Sequence, residues 1–171
     1  LNGSDWESKF TIKDGIKAIR STPISKSFTK GVSLETIINE LVNKMISEHS
    51  EISKGVVKDI PVFTFNSGRS LFGNCRQQLD ELTKSFNLKW FIQDNTIYVL
   101  ENNKAIGTEI ILLNASSGLI GRPEKLEDGK GWRFKSLMRP GFNVGTWIKV
   151  ESLTANGIFL PGKVIHTGNW K

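Results

Sequence analysis

Two histidines, one cysteine and a few clustered carboxylates are the side chains through which this 171-residue chain could do chemistry. Glu48, His49 and Glu51 fall together in "EHSE", and an imidazole between two carboxylates is a set that a divalent cation accepts. A dedicated metal centre draws its ligands from several elements and backs them with further hydrogen bonds. Here all three sit just past an amphipathic run, so a solvated helix end is the expectation and no metal is assigned. His166, in "GKVIHTG", lies in alternating sequence, where an imidazole bonded to a neighbouring strand is commoner than a catalytic base. Cys75 begins a helical run, and a helix N-terminus favours a thiolate. It holds the stripe position that Leu34 holds in an earlier run, which predicts burial instead.

The remaining chemistry is thinner. A single cysteine excludes an intrachain disulfide and a cysteine-rich zinc site, and suits a reducing compartment. No Gly-x-Ser-x-Gly elbow occurs, and Glu124, Glu127 and Asp128 in "PEKLEDGKG" read as solvent-facing turn charges without an opposing carboxylate pair. "SGRSLFG" and "GLIGRP" lack the Lys-Ser/Thr ending of a phosphate loop. No catalytic residue, metal or cofactor is therefore assigned. The formal charge of +6 permits nucleic-acid binding, but the basic residues are scattered rather than blocked. "GWRFKSLMRPG" interleaves aromatic and basic residues as a stacking surface would. In strand order Trp132, Phe134 and Ser136 face one way and Arg133, Lys135 and Leu137 the other, which is what any half-buried strand does.

These residues need elements to hold them, and the hydrophobic period supplies the outline. "WESKFTIKDGIKAI" alternates around Asp14-Gly15 and predicts a hairpin. "STPISKSFT" continues as an extended segment, with Pro23 on a sheet edge. In "VSLETIINELVNKMI", Leu34, Ile37, Ile38, Leu41 and Met45 recur at helical spacing behind a Ser33 cap; Cys75, Leu79, Leu82 and Phe86 repeat that stripe behind Asn74. The offset of 41 residues hints at a duplicated helix-plus-strand unit. Between the helices "IPVFTFN" reads as a strand and "SGRSLFG" as a loop, and "LKWFIQDNTIYVLE" reads as a hairpin turning at Asp94-Asn95. After "NNKA" helical periodicity ends. "TEIILLNA", "GWRFKSL", "TWIKVESL" and "GIFLPGKVIHTG" are β candidates of a compact barrel or sandwich. No apolar run approaches the roughly 20 residues a membrane helix needs. The start at Leu1, with strand pattern following almost at once, leads us to expect a piece of a longer chain.

"LLNASSGLIGRPEKLEDGKGWRFKSLMRPGFNVGTWIKVES" resembles the tail hub proteins of bacteriophages. Gly118, Leu119, Ile120, Gly121 and Pro123 match that family's corner, Ser136, Leu137 and Pro140 its middle, and Gly145, Ile148, Val150, Glu151 and Ser152 its last strand. Arg122 and Met138 depart mildly from the pattern. "FGNCRQQLDELTKSFNLKWFIQDNTIYVLE" and "KSFTKGVSLETIINELV" are similar to the family's helix-plus-hairpin and earlier helical segments.

The resemblance implies a baseplate hub subunit of the late control D kind, related to the base of type VI secretion spikes. The fold it implies is α+β, with "TEIILLNA" and "TWIKVES" as barrel strands lying close in one sheet. Residues 1–28 would be a hairpin and extended strand of a hub barrel, 29–104 an insertion of two similar helix-strand units, and 105–171 a β-barrel domain. Gly118, Gly121, Pro123, Pro140 and Gly145 would shape the corner. Arg122, Lys125, Arg133, Lys135 and Arg139 are candidate contacts to sister subunits or the spike, with acidic surfaces preferred. The partners implied are copies of the chain, in a trimer, together with tail tube and spike proteins, with no membrane anchor. The place implied is the virion baseplate, after synthesis in the host cytoplasm. Two rival classes remain open: a peptidoglycan-binding or hydrolase module depending on Glu48 or Glu51, and an oligonucleotide-binding domain depending on Trp132 or Arg133.

Overall fold

At Ser33 the chain stops alternating and begins to wind. In the computed structural model, which describes residues 22–127, 129 and 131–167, the Ser33 hydroxyl accepts the Thr36 N–H at 3.1 Å and caps helix α1, Leu34–Glu48. Such a cap satisfies a donor that the helix itself leaves unpaired, worth about 1 kcal/mol. Leu34, Ile37, Ile38, Leu41 and Met45 are all buried, as the spacing predicts, and Val42 widens the stripe. Helix α2, Cys75–Ser85, is built alike: the Asn74 side chain accepts the Arg76 N–H at 2.8 Å, and Cys75, Leu79 and Leu82 are buried. Buried Thr83 donates its hydroxyl to the Leu79 carbonyl at 2.7 Å, so it leaves no unpaired polar group inside.

The chain divides into two compact units after Glu101. In the first, strand β1 (Pro23–Phe28) pairs antiparallel with β5 (Arg69–Asn74), and β2 (Val32–Ser33) with β4 (Thr64–Phe65). A three-stranded sheet runs in the order β3 (Ser53–Val57), β7 (Thr96–Glu101), β6 (Leu88–Gln93). Its β6–β7 hairpin turns at Asp94 and Asn95, both at positive φ (49° and 54°), as a two-residue turn of this type requires. Both helix stripes, with Ile24, Ile52, Leu71, Leu88, Ile97 and Val99 from the strands, form one hydrophobic core.

The second unit holds β8 (Ile110–Leu113), β9 (Leu119–Lys125), β10 (Trp132–Ser136), β11 (Trp147–Glu151) and β12 (Asn156–Phe159). β8 lies parallel to β11 and β12 antiparallel to it, while β9 and β10 form a separate antiparallel ribbon. The buried cluster is small: Leu113, Phe142, Ile148 and Val150, with Ile111, Leu119, Phe134 and Phe159 half-buried against it.

Strands predominate around two helices, so the fold is α+β, and several expectations are corrected. The closed β-barrel expected over 105–171 is absent among the described residues. Closure requires every edge strand to find a second partner, yet β8 and β12 pair with β11 alone and β9 and β10 only with each other. "SGRSLFG" is not a loop, because Arg69–Asn74 pairs with β1 in register from Pro23↔Asn74 to Phe28↔Arg69 and buries Leu71. "IPVFTFN" is strand only at Thr64 and Phe65, with the flanking Phe63 carbonyl accepting the Leu34 N–H at 2.9 Å. "GIFLPGKVIHTG" is strand only to Phe159; Pro161 has no N–H to continue a ladder, and His166 is exposed and outside any strand. β3 carries no clear pattern in the sequence. It forms because Gly55 lets its backbone approach β7: a Cβ there would lie 2.7 Å from Thr96 Cγ2 and 2.9 Å from the Ile97 carbonyl oxygen. The hairpin expected around Asp14-Gly15 lies outside the described residues.

Two predictions follow from this core. Leu41→Ala should lower the stability of the full chain by about 2–5 kcal/mol in urea titration, because Leu41 is wholly buried. Burial raises the Cys75 thiol to about 11, so the unfolded chain loses this proton first as pH rises. Stability should then fall by up to about 1.4 kcal/mol per pH unit between the ordinary thiol range and that value. Cys75→Ala should remove this component, and the wild-type thiol should react with a disulfide reagent only after unfolding.

Candidate functional site

Of the ten corner and contact residues singled out in the sequence, Gly121, Arg122, Pro123, Lys125, Arg133 and Lys135 lie on the β9–β10 ribbon. Its register runs Trp132↔Lys125 and Arg133↔Glu124, then resumes at Lys135↔Ile120 and Ser136↔Leu119. Between these pairs β10 supplies Phe134 alone while β9 supplies Gly121, Arg122 and Pro123. The two surplus residues bulge out of the ladder. Gly121 adopts φ 69°, which glycine tolerates, and buried Pro123 has no N–H that the bulge would leave unpaired. The segment expected as a corner is thus a bulged strand, with Gly118 (φ 103°) at its entrance.

Alternation on β10 survives the bulge. Phe134 turns toward the small core, with its ring centroid 5.2 Å from that of Phe159, while Arg133 and Lys135 are exposed on the opposite face. Leu137 continues that outer face, because its N–H donates to the Gly118 carbonyl at 2.9 Å and its side chain lies over Gly118. Ile120 stands opposite Lys135. Ile120, Leu137 and Met138 are 48%, 61% and 73% exposed. Strand alternation already put Leu137 on the side of Arg133 and Lys135; the exposure of Ile120 was missed in the sequence, because it read there as family pattern and the surplus of two residues leaves no mark in composition.

The five candidate contact cations differ in their surroundings. Arg139 donates from Nη1 to the Ser117 carbonyl at 2.9 Å and to that of Leu112 at 3.3 Å, which ties the end of the ribbon to the turn after β8. Lys125 Nζ lies 5.5 Å from the centre of the Trp132 ring. Arg133 approaches Glu124 at 3.8 Å, with both side chains largely in solvent. Among the described residues no carboxylate pairs with Lys135 or Arg122. Arg122 lines a groove of about 580 Å3, together with Asn114, Ser116, Glu151, Ser152 and Leu153. The walls of this groove are self-bonded turns. Asn114 Oδ1 accepts from Ser116 Oγ and the Ser117 N–H, and Ser152 Oγ accepts the Thr154 and Ala155 N–H groups. Lys149 donates to Glu151 at 2.7 Å and, with its charge, holds that carboxyl below the usual carboxylate range. Pro140 and Gly145 lie between β10 and β11, where Gly145 offers its carbonyl to the Ile106 N–H at 2.8 Å.

The other reactive groups are committed elsewhere. Glu48 accepts from Lys44 at 2.7 Å, and that hydrogen bond keeps its carboxyl below the ordinary range. His49 Nε2 bonds the Thr22 hydroxyl at 3.1 Å, with Glu51 3.8 Å from Nδ1. Glu127 is exposed in the turn after β9, and Asp128 lies outside the described residues. The arrangement offers a surface for contact rather than a pocket with converging acids.

Comparison with known proteins agrees with this character. A family model described as baseplate hub gp41 matches residues 15–159, which is most of the 171-residue chain. No curated protein matches it. A match of that extent, running through both units and the whole β9–β10 ribbon, establishes that the chain belongs to the baseplate hub gp41 family and is a phage tail baseplate protein.

Proposed function

We propose that the chain is a non-catalytic structural subunit of the hub, assembling with copies of itself into a ring, a trimer in the intact protein, that joins tail tube to spike. In this reading residues 1–28 and 105–171 belong to the β-rich hub and 29–104 to an insertion, as in the late control D proteins and the base of type VI secretion spikes. Gly118, Gly121, Pro123, Pro140 and Gly145 shape the backbone, and Arg122, Lys125, Arg133, Lys135 and Arg139 meet neighbouring subunits or the spike.

One observation carries the proposal. The second unit exposes Ile110, Leu112, Ile120, Leu137, Met138, Leu153 and Ile158 while burying only Leu113, Phe142, Ile148 and Val150 in its main cluster. Large aliphatic side chains held in water favour association, since covering them returns about 25 cal/mol per Å2. On the sheet they share one side: Ile110 pairs with Trp147, and Leu112 and Ile158 flank Lys149. A rigid ring that bears load needs such distributed contacts and no reactive pocket. The hydrolase reading lacks comparable support, because the Glu48 carboxylate it would use is held by Lys44.

The test is the mass of the protein from the complete reading frame, measured by sedimentation at micromolar concentration, alone and with the tail tube and spike proteins. The expected result is a species of three copies that binds both. A monomer that leaves both partners free would overturn the ring.

A further inference from the structure

The positive charge of the chain is unevenly placed. Residues 102–171 carry ten Lys or Arg against five Asp or Glu, whereas the first 101 residues carry 13 against 12. Nearly all of the excess therefore belongs to the second unit. Within it, Arg139 is bound to carbonyls, Lys149 to Glu151, and Lys125 is drawn over the Trp132 ring. Lys135 is different. It stands in the middle of the outer face of the β9–β10 ribbon with Ile120 across from it and Leu137 beside it, both about half exposed or more. Arg133 is next along the same face.

We infer that this face, Lys135 framed by Ile120 and Leu137, docks an acidic protein surface on a different baseplate component, since the second unit of another copy would bring the same excess of positive charge. The inference rests on the baseplate reading and specifies one of its contacts. An exposed ammonium ringed by aliphatic side chains matches the anatomy of a protein interface, where apolar contact excludes water and the charge selects a carboxylate partner. Glu124, paired with Arg133 in the same ribbon, fixes the sign pattern along the face: mixed at one end, positive and apolar at the other. Nucleic acid fits this face poorly. A phosphate backbone asks for a track of cations, and base stacking asks for exposed rings, but Trp132 and Phe134 are half-buried on the other side of the strand.

The experiment uses assembled tails of the phage that carries this chain. A carbodiimide, which joins a lysine ammonium directly to a touching carboxylate, is applied and the linked peptides are read by mass spectrometry. The expected product joins Lys135 to an Asp or Glu of another baseplate protein. Affinity for that protein should fall about tenfold in the full-length chain for Lys135→Glu and for Leu137→Ser, while Lys30→Glu, in the first unit, leaves it unchanged. The face is assigned wrongly if Lys135 stays unlinked, or if it links only to copies of this chain. Salt-sensitive binding of a DNA duplex to the full chain that Lys135→Glu abolishes would overturn it as well. A ring of normal mass with Lys135 unlinked removes this contact and leaves the hub reading standing, whereas a monomeric full-length protein removes the hub reading itself.

Discussion

Strand β9 has two more residues than its partner between matched positions, and the appearance of the second unit depends on where they go. A strand's side chains change face at every residue, so an uncompensated surplus of one would turn Phe134 or its neighbours inside out. Two surplus residues restore the alternation. Placing them at Gly121, Arg122 and Pro123 concentrates the disruption where one residue tolerates positive φ and another has no N–H to lose. Phe134 then reaches the core, and Arg133, Lys135 and Leu137 are displayed on the far side.

The first unit rests on a different constraint, the burial of two helix stripes in one core. Neither stripe has a polar position that water could reach: Leu34 through Met45 and Cys75 through Leu82 are at most 1% exposed where they contribute to it. One polar contact at the rim of that core sets how an element lies on it. Asp80 on α2 accepts the Trp90 indole N–H at 2.7 Å, which fixes the helix to β6 at the edge of the cluster. Removing either partner would leave the other to be solvated alone, so this bond sets orientation more than it adds stability.

The two units thus divide their tasks by how they treat apolar surface. Among its described residues the first encloses nearly all of the large aliphatic side chains, leaving few large apolar groups such as Val62 and Phe72 strongly exposed. The second buries three, Leu113, Ile148 and Val150, with Phe142 in its main cluster, and holds a longer set outside, on short strands and the segments that follow them. Ion pairs do not redress the balance, because the surface pairs Lys44–Glu48 and Lys149–Glu151 are screened by solvent and contribute little net stability. A component whose neighbours complete its surface fits this division, and membership of a baseplate hub family accords with it.

Wherever local pattern decides the conformation, the chain could be read without coordinates. Ser33 and Asn74 as caps, the stripes from Leu34 and Cys75 and the Asp94-Asn95 turn were all legible, because each follows from a spacing of 3.6 or from a turn residue at its proper place, whereas the closeness of "TEIILLNA" to "TWIKVES" came from the hub resemblance. The order of motifs around "GLIGRP" and "IKVES" was equally legible as a family resemblance. Tertiary structure alone decided the rest. β3 and β5 exist because distant strands accept them, with Gly55 making room in one case and Leu71 filling the core in the other. The absence of a closed barrel among the described residues, the commitment of Arg139 to two carbonyls and the exposure of Ile120 depend on which strands meet and in what register. Pairing over long stretches of chain is set by the whole core, and no window of residues carries that information.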